Sequence, residues 1–183
     1  MKGKYWIIGG AAVLLTLFTT NWVWGFSSGL TGFSGNPATG SQTCNNCHNG
    51  GVVPAVTITG PALLLVNDLA TYVLTIQGGQ EVAGGLDVSA TGGLLDILPG
   101  TTDTQKLNGE ITHTAPKMAD QDGTVTFSFQ WQAPAVAGEA TLYGAGNSVD
   151  LMNSNIGDAA GTATFTITVV ESLEKIYLPV IMH

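Results

Sequence analysis

The chain has 183 residues, 44% of them apolar and only 10% charged, with 25 Gly, 2 Cys and no Arg. That length suits one domain with some overhang, and the wealth of β-branched and aromatic residues excludes disorder for most of it. Residues 26–183 carry 13 acids against 3 Lys, which excludes a nucleic-acid binder, because neutralising phosphates takes clustered cations; two cysteines are too few for a disulfide-rich scaffold.

Residues 1–25 have the anatomy of a secretory signal: Lys2 and Lys4, an apolar stretch from Ile7 to Phe18, and a small residue, Gly25, at the expected cleavage point. The same stretch, taken from residue 5 to 26, is also long enough to remain as an N-terminal membrane anchor. Both readings export the rest of the chain, and the two lysines set that orientation.

Residues 26–53 are rich in Gly, Ser, Thr and Asn and show neither a 3.6 nor a 2.0 period, so an irregular leader is expected. Within it, Cys44-Asn45-Asn46-Cys47-His48 has the Cys-x-x-Cys-His spacing of covalent c-type haem attachment. Two thiols separated by two residues add to the two vinyl groups of one porphyrin. The following imidazole then lies beneath the iron as its proximal ligand. Such haem is attached outside the cytoplasmic membrane, in keeping with export.

Three other uses of the motif compete. A Cys44–Cys47 disulfide suits an oxidising compartment but closes a very short loop. A thioredoxin-like redox site wants a helix N-terminus in a βαβ setting, which the chain does not offer. Structural zinc wants about four ligands, and the usual second pair is missing.

From residue 54 to 171 short apolar–polar alternations are separated by Gly, Pro, Asn and Asp. Strands are expected at Ala55–Thr59, Thr71–Ile76, Gly85–Ala90, Thr124–Trp131, Ala140–Gly144 and Thr162–Val170. In the fourth, Val125, Phe127, Phe129 and Trp131 share one face; in the last, Ala163, Phe165, Ile167 and Val169 do. This predicts an all-β, immunoglobulin-like antiparallel sandwich of seven or so strands, with no repeat and no second domain. Asp87, Asp96, Asp103, Asp120 and Asp122 read as solubilising residues of loops and edge strands, and Asp120–Gly123 as a turn. Residues 172–183 form an apolar tail, with Pro179, too short to cross a membrane.

If His48 holds iron on one side, the sixth ligand is sought among His113, Met118, Met152, Met182 and His183, or is absent. His113 leads because histidine is so scarce, and Met118 is the alternative distal ligand. Phe33, Phe127, Trp131 and Tyr143 are candidates for packing on the ring, and Lys106 and Lys117 for pairing with its propionates.

Five blocks in the same order resemble the exported bacterial choice-of-anchor V domain family, whose sandwich is Reeler-like. They are Thr31-Gly32 with Cys44-x-x-Cys47-His48-x-Gly50-Gly51, then Gly84–Ala90, Gly109–Lys117, Phe129–Pro134 and Leu142–Asn147. Together they cover residues from about 29 to 170. The resemblance implies a haem-attachment motif ahead of a surface-held sandwich, with Cys44, Cys47, His48 and His113 as its site residues. It also implies a variable C-terminal anchor; beyond Val170 this chain departs from that pattern, which favours attachment through residues 5–26.

The leading functional expectation is a monohaem electron carrier outside the cytoplasmic membrane, in the periplasm or at the cell surface, holding one covalent haem c. Its redox partners should be basic, since the domain is acidic. The alternative is a surface adhesion or binding module whose cysteines form a structural disulfide. A haem sensor with an open sixth position, and self-assembly of several copies, are further readings. No hydrolase, transferase or phosphate-loop motif is present, so substrate turnover is not expected.

Overall fold

The computed structural model describes residues 27–152 and 154–172. The expected signal or anchor segment, and Met182 and His183 of the tail, lie outside the described residues. Twelve strands follow one another: β1 (Asn49–Gly50), β2 (Ala55–Thr59), β3 (Leu63–Leu65), β4 (Leu69–Gln77), β5 (Ala83–Ala90), β6 (Leu94–Ile97), β7 (Thr104–Leu107), β8 (Glu110–His113), β9 (Lys117–Met118), β10 (Thr124–Gln132), β11 (Gly138–Val149) and β12 (Ile156–Val170). Among the described residues no helix is long and apolar enough to cross a membrane.

The strands form two sheets, one ordered β1-β12-β11-β5-β8-β7 with β3 and β9 as side partners, the other ordered β2-β4-β10-β6. Packed face to face, they make the chain an all-β, immunoglobulin-like sandwich. The cause is the period-2 pattern of the long strands. β10 turns Val125, Phe127, Phe129 and Trp131 inward, where they meet Tyr72, Leu74 and Ile76 of its antiparallel neighbour β4. From the opposite sheet come Leu86, Val88, Ile111, Leu142, Ile167 and Val169, all buried. Burying one such aromatic side chain stabilises the fold by roughly 1.5–3 kcal/mol, so the β10 face dominates the core. Two polar tips inside it are satisfied by carbonyls: Tyr72 Oη donates to Pro61 O at 2.8 Å, and Trp131 Nε1 to Gly92 O at 2.9 Å.

Several expectations need correction. The sandwich is not wholly antiparallel, since β1 and β3 both pair with β12 in parallel. The leader is ordered: 3-10 turns at Pro37–Thr39 and Cys44–Asn46, a bridge between Ser34 and Thr43, and strand β1 fasten it to the larger sheet. Its backbone groups are satisfied by single local turns and by a few bonds to the sheet, such as Asn49 N to Asn155 O and Gly51 N to Asp158 O, an arrangement that leaves no periodic trace in the sequence. Asp87 is no solubilising edge residue; it is 1% exposed in the middle of the sheet. Asp120 does build a turn, its Oδ1 accepting from the backbone N–H groups of Asp122 and Thr124.

Candidate functional site

The leader crosses the larger sheet where β5, β8, β11 and the start of β12 come together, and a cavity of about 390 Å³ opens there. Cys44, Cys47, His48 and His113 all line it. The motif is tied down by side chains that imitate strand pairing: Asn45 donates through Nδ2 to Ala160 O at 2.6 Å and accepts through Oδ1 from Ala160 N at 2.7 Å. Asn155 Nδ2 donates to Cys47 O. Inside the motif the amides of Cys47 and His48 both point at Cys44 O, at 3.1 and 2.9 Å, giving one tight turn that sets the imidazole beside the two thiols.

His48 is held on both ring nitrogens. Nδ1 lies 3.0 Å from Oδ2 of the buried Asp158, and Nε2 lies 3.2 Å from Nδ2 of Asn147. A carboxylate on Nδ1 keeps the proton there and leaves the Nε2 lone pair as the acceptor. Asn147 is itself oriented, because its Oδ1 accepts from Gly85 N at 2.7 Å. Asp158 is oriented likewise, its Oδ1 accepting from Asp150 N at 3.1 Å.

His113 reaches the same cavity from the end of β8. Its Nδ1 stands 3.1 Å from Leu86 N and 3.3 Å from Leu86 O, so the same position serves either tautomer. Burial, helped by the neighbouring His48 and opposed by the hydrogen bond with the Leu86 backbone, pushes its pKa down and so favours the neutral ring. The neutral tautomer that donates from Nδ1 to Leu86 O is the one that offers Nε2 to a metal. The ring fits only because residue 85 has no side chain: a Cβ there would stand 2.5 Å from His113 Cε1. Gly85→Ala is therefore expected to displace the His113 ring while leaving the β5–β11 pairing intact. The check is the histidine ring proton shifts in NMR spectra; unchanged His113 resonances would refute it.

Both cysteines are free thiols. Desolvation, with the nearby Asp87 carboxyl second, pushes the Cys44 thiol up to about 12, so it stays protonated at neutral pH. That is the wrong state for a thiolate nucleophile or a zinc thiolate. Among the described residues no group of three or more His, Cys, Asp or Glu is arranged to hold a metal ion. A porphyrin supplies its own four equatorial nitrogens, however, and asks the protein only for axial donors and thioether links. Two thiols, two histidines and the apolar Leu30, Phe33, Leu86 and Leu151 around one cavity fit such a group.

The remaining candidates lie elsewhere. Met118 is 61% exposed on β9 and Met152 is 75% exposed, and neither lines the cavity. Phe127 and Trp131 belong wholly to the core and Tyr143 lies off the cavity, so of the four aromatic candidates Phe33 alone is at hand. Lys117 is engaged with Asp103 and the Phe127 ring, and Lys106 does not line the cavity. Asp158 and Asn147 were missed as site residues. Nothing in their local sequence marks them, and only the pairing of β1 with β12 and of β5 with β11 carries them to His48.

Fold and site together define a class: an immunoglobulin-like β-sandwich domain with an ordered Cys-x-x-Cys-His leader laid on one sheet. No protein-family model matches the chain, and no curated protein matches it. Among solved structures it is similar to a CARDB domain from Pyrococcus furiosus, solved in complex with di-metal ions, at 18% identity and a TM-score of 0.37 over 65% of this chain and 96% of that one. It is also similar to the PKD domain of an M14-like peptidase from a Thermoplasmatales archaeon, at 13% identity and a TM-score of 0.37 over 67% of this chain and 98% of that one.

Proposed function

We propose that this chain is an exported monohaem c-type electron carrier of the choice-of-anchor V type. The observation that carries the reading is the convergence of Cys44, Cys47 and His48 from the leader with His113 from β8 on one cavity. When bound, the haem supplies a one-electron couple at iron. The chain's own part would be to hold and tune it: Cys44 and Cys47 would form the thioether links, and His48 and His113 would ligate the iron. Asp158 holds Nδ1 of His48 and would keep Nε2 turned toward the bound group. Ligation would require Asn147 to release the Nε2 lone pair. Leu30, Phe33 and Leu151 would give the bound group apolar contacts. The acidic domain suits basic redox partners, with association slowing as salt rises.

The experiment is a pyridine haemochrome spectrum of protein matured in a host with haem-attachment machinery, followed by His113→Ala. A c-type spectrum that is low-spin in the parent and turns high-spin in the variant is expected. Colourless parent protein ends the proposal, and an unchanged spin state removes His113 as ligand.

A second reading is a surface-binding sandwich module without cofactor, its cysteines joined as a disulfide. It is favoured by the engagement of both His48 nitrogens by protein groups, and by the many binding roles sandwiches serve. Intact mass separates the two: an added haem supports the first, a loss of two hydrogens the second.

A further inference from the structure

Beside the cavity, under the leader, two acids are buried together: Asp87 on β5, 1% exposed, and Glu110 on β8, 8% exposed. Both grip the leader backbone, Asp87 Oδ2 accepting from Phe33 N at 2.7 Å and Glu110 Oε2 from Gly32 N at 2.6 Å. Those two leader residues sit over the cavity wall, and Phe33 lines the cavity. Next to them the leader presses so closely on β8 that a Cβ at Gly29 would stand 2.4 Å from His113 O. Asp87 Oδ1 is buried with no donor to satisfy it. Neither acid has a lysine partner among the described residues, where the salt bridges are His48–Asp158 and Lys117–Asp103.

Two carboxylates cannot both stay ionised in such a place, because like charges without a cation in a desolvated site repel strongly. A proton held by the pair removes one charge and supplies the donor that Asp87 Oδ1 lacks. The other titratable groups facing the pair are the Cys44 thiol from the leader, which is protonated, and Tyr143 on β11, on the same side of the sheet by register. Lys106 of β7 alternates to the opposite side, and His113 follows at the end of β8.

We propose that the Asp87–Glu110 pair is a proton-operated latch: it fastens the leader bearing Cys44, Cys47 and His48 over the cavity in acidic medium and lets it lift as the medium turns alkaline. The sign follows from linkage. Desolvation first, and the Glu110 charge second, raise the Asp87 pKa to about 8 against the smaller lowering effect of the Phe33 and Gly32 amides, whereas a lifted leader returns Asp87 to water and its ordinary carboxylate range. Closure thus binds a proton. Closing is favoured fully below the ordinary range, weakens as pH rises toward about 8, and changes no further above it.

The test is amide hydrogen exchange of the matured full-length chain, read by mass spectrometry over the leader segment containing Gly32 and Phe33. Observed rates are divided by the intrinsic rates at each pH to give protection. Leader protection is expected to fall by up to about tenfold per pH unit between about pH 5 and pH 8. Asp87→Asn, which keeps an acceptor but not the ionisation, should flatten that slope, as should Asp87→Ser if the first variant does not fold, whereas Glu110→Gln, which removes the neighbouring charge but leaves Asp87 buried, should move the upper end of the slope to lower pH. Protection of β10 amides reports global unfolding. Leader protection independent of pH, a slope retained in the Asp87 variants, or β10 moving in step with the leader would each overturn the latch. None of these readouts depends on haem, so the latch and the electron-carrier reading fail separately.

Discussion

Exchanging Cys44 and Cys47 together for Ala is expected to take covalent haem from one per chain to none. Intact mass after maturation should fall to that of the polypeptide, and haem-dependent peroxidase staining of a denaturing gel should vanish. The fold should survive, because the two thiols lie in the leader, outside the core built by β4 and β10. Far-UV circular dichroism of the variant should match the parent. The single variants separate the links: each keeps one possible thioether, so haem retained in both singles but lost in the double is the expected pattern. A double variant that still carries haem through denaturation would refute the assignment of the motif.

Trp131→Ala has the second large effect, and it is an effect on stability instead of on the site. Trp131 is 0% exposed, packs edge-on against Tyr72 with ring centroids 6.2 Å apart, and donates to Gly92 O at 2.9 Å. Removing it opens a void and orphans a carbonyl, at a cost of about 3–5 kcal/mol. Domains of this size are stable by about 5–15 kcal/mol in all, so the midpoint of chemical denaturation should drop sharply. The haem spectrum of the folded variant should not change, since Trp131 does not line the cavity. A shifted spectrum with an unshifted denaturation midpoint would return Trp131 to the site.

The long strands were legible because alternation is a local property. Val125 to Trp131 and Ala163 to Val169 display which face is inward without reference to any other part of the chain, and the structure turns them as the pattern requires. Short strands such as β7, β8 and β9 hold four residues or fewer, too few to show a period, and were found only by their pairing.

At the site the same division holds. The Cys44, Cys47 and His48 spacing is written in five consecutive residues, so the motif itself could be seen in the sequence. His113 stands out in the sequence by scarcity and by the family resemblance; its place beside His48 comes from β5 pairing with β8 and from the missing side chain at Gly85. Asp158, Asn147 and the Asp87–Glu110 pair were invisible as site residues or were read as surface, because an acid's burial depends on what the fold lays over it. Along the chain, Asp87 is one more acid between apolar neighbours. Only the sheet that buries it and the leader that covers it make its charge costly, since electrostatic energy is set by distance and solvent in three dimensions and neither is encoded in sequence order.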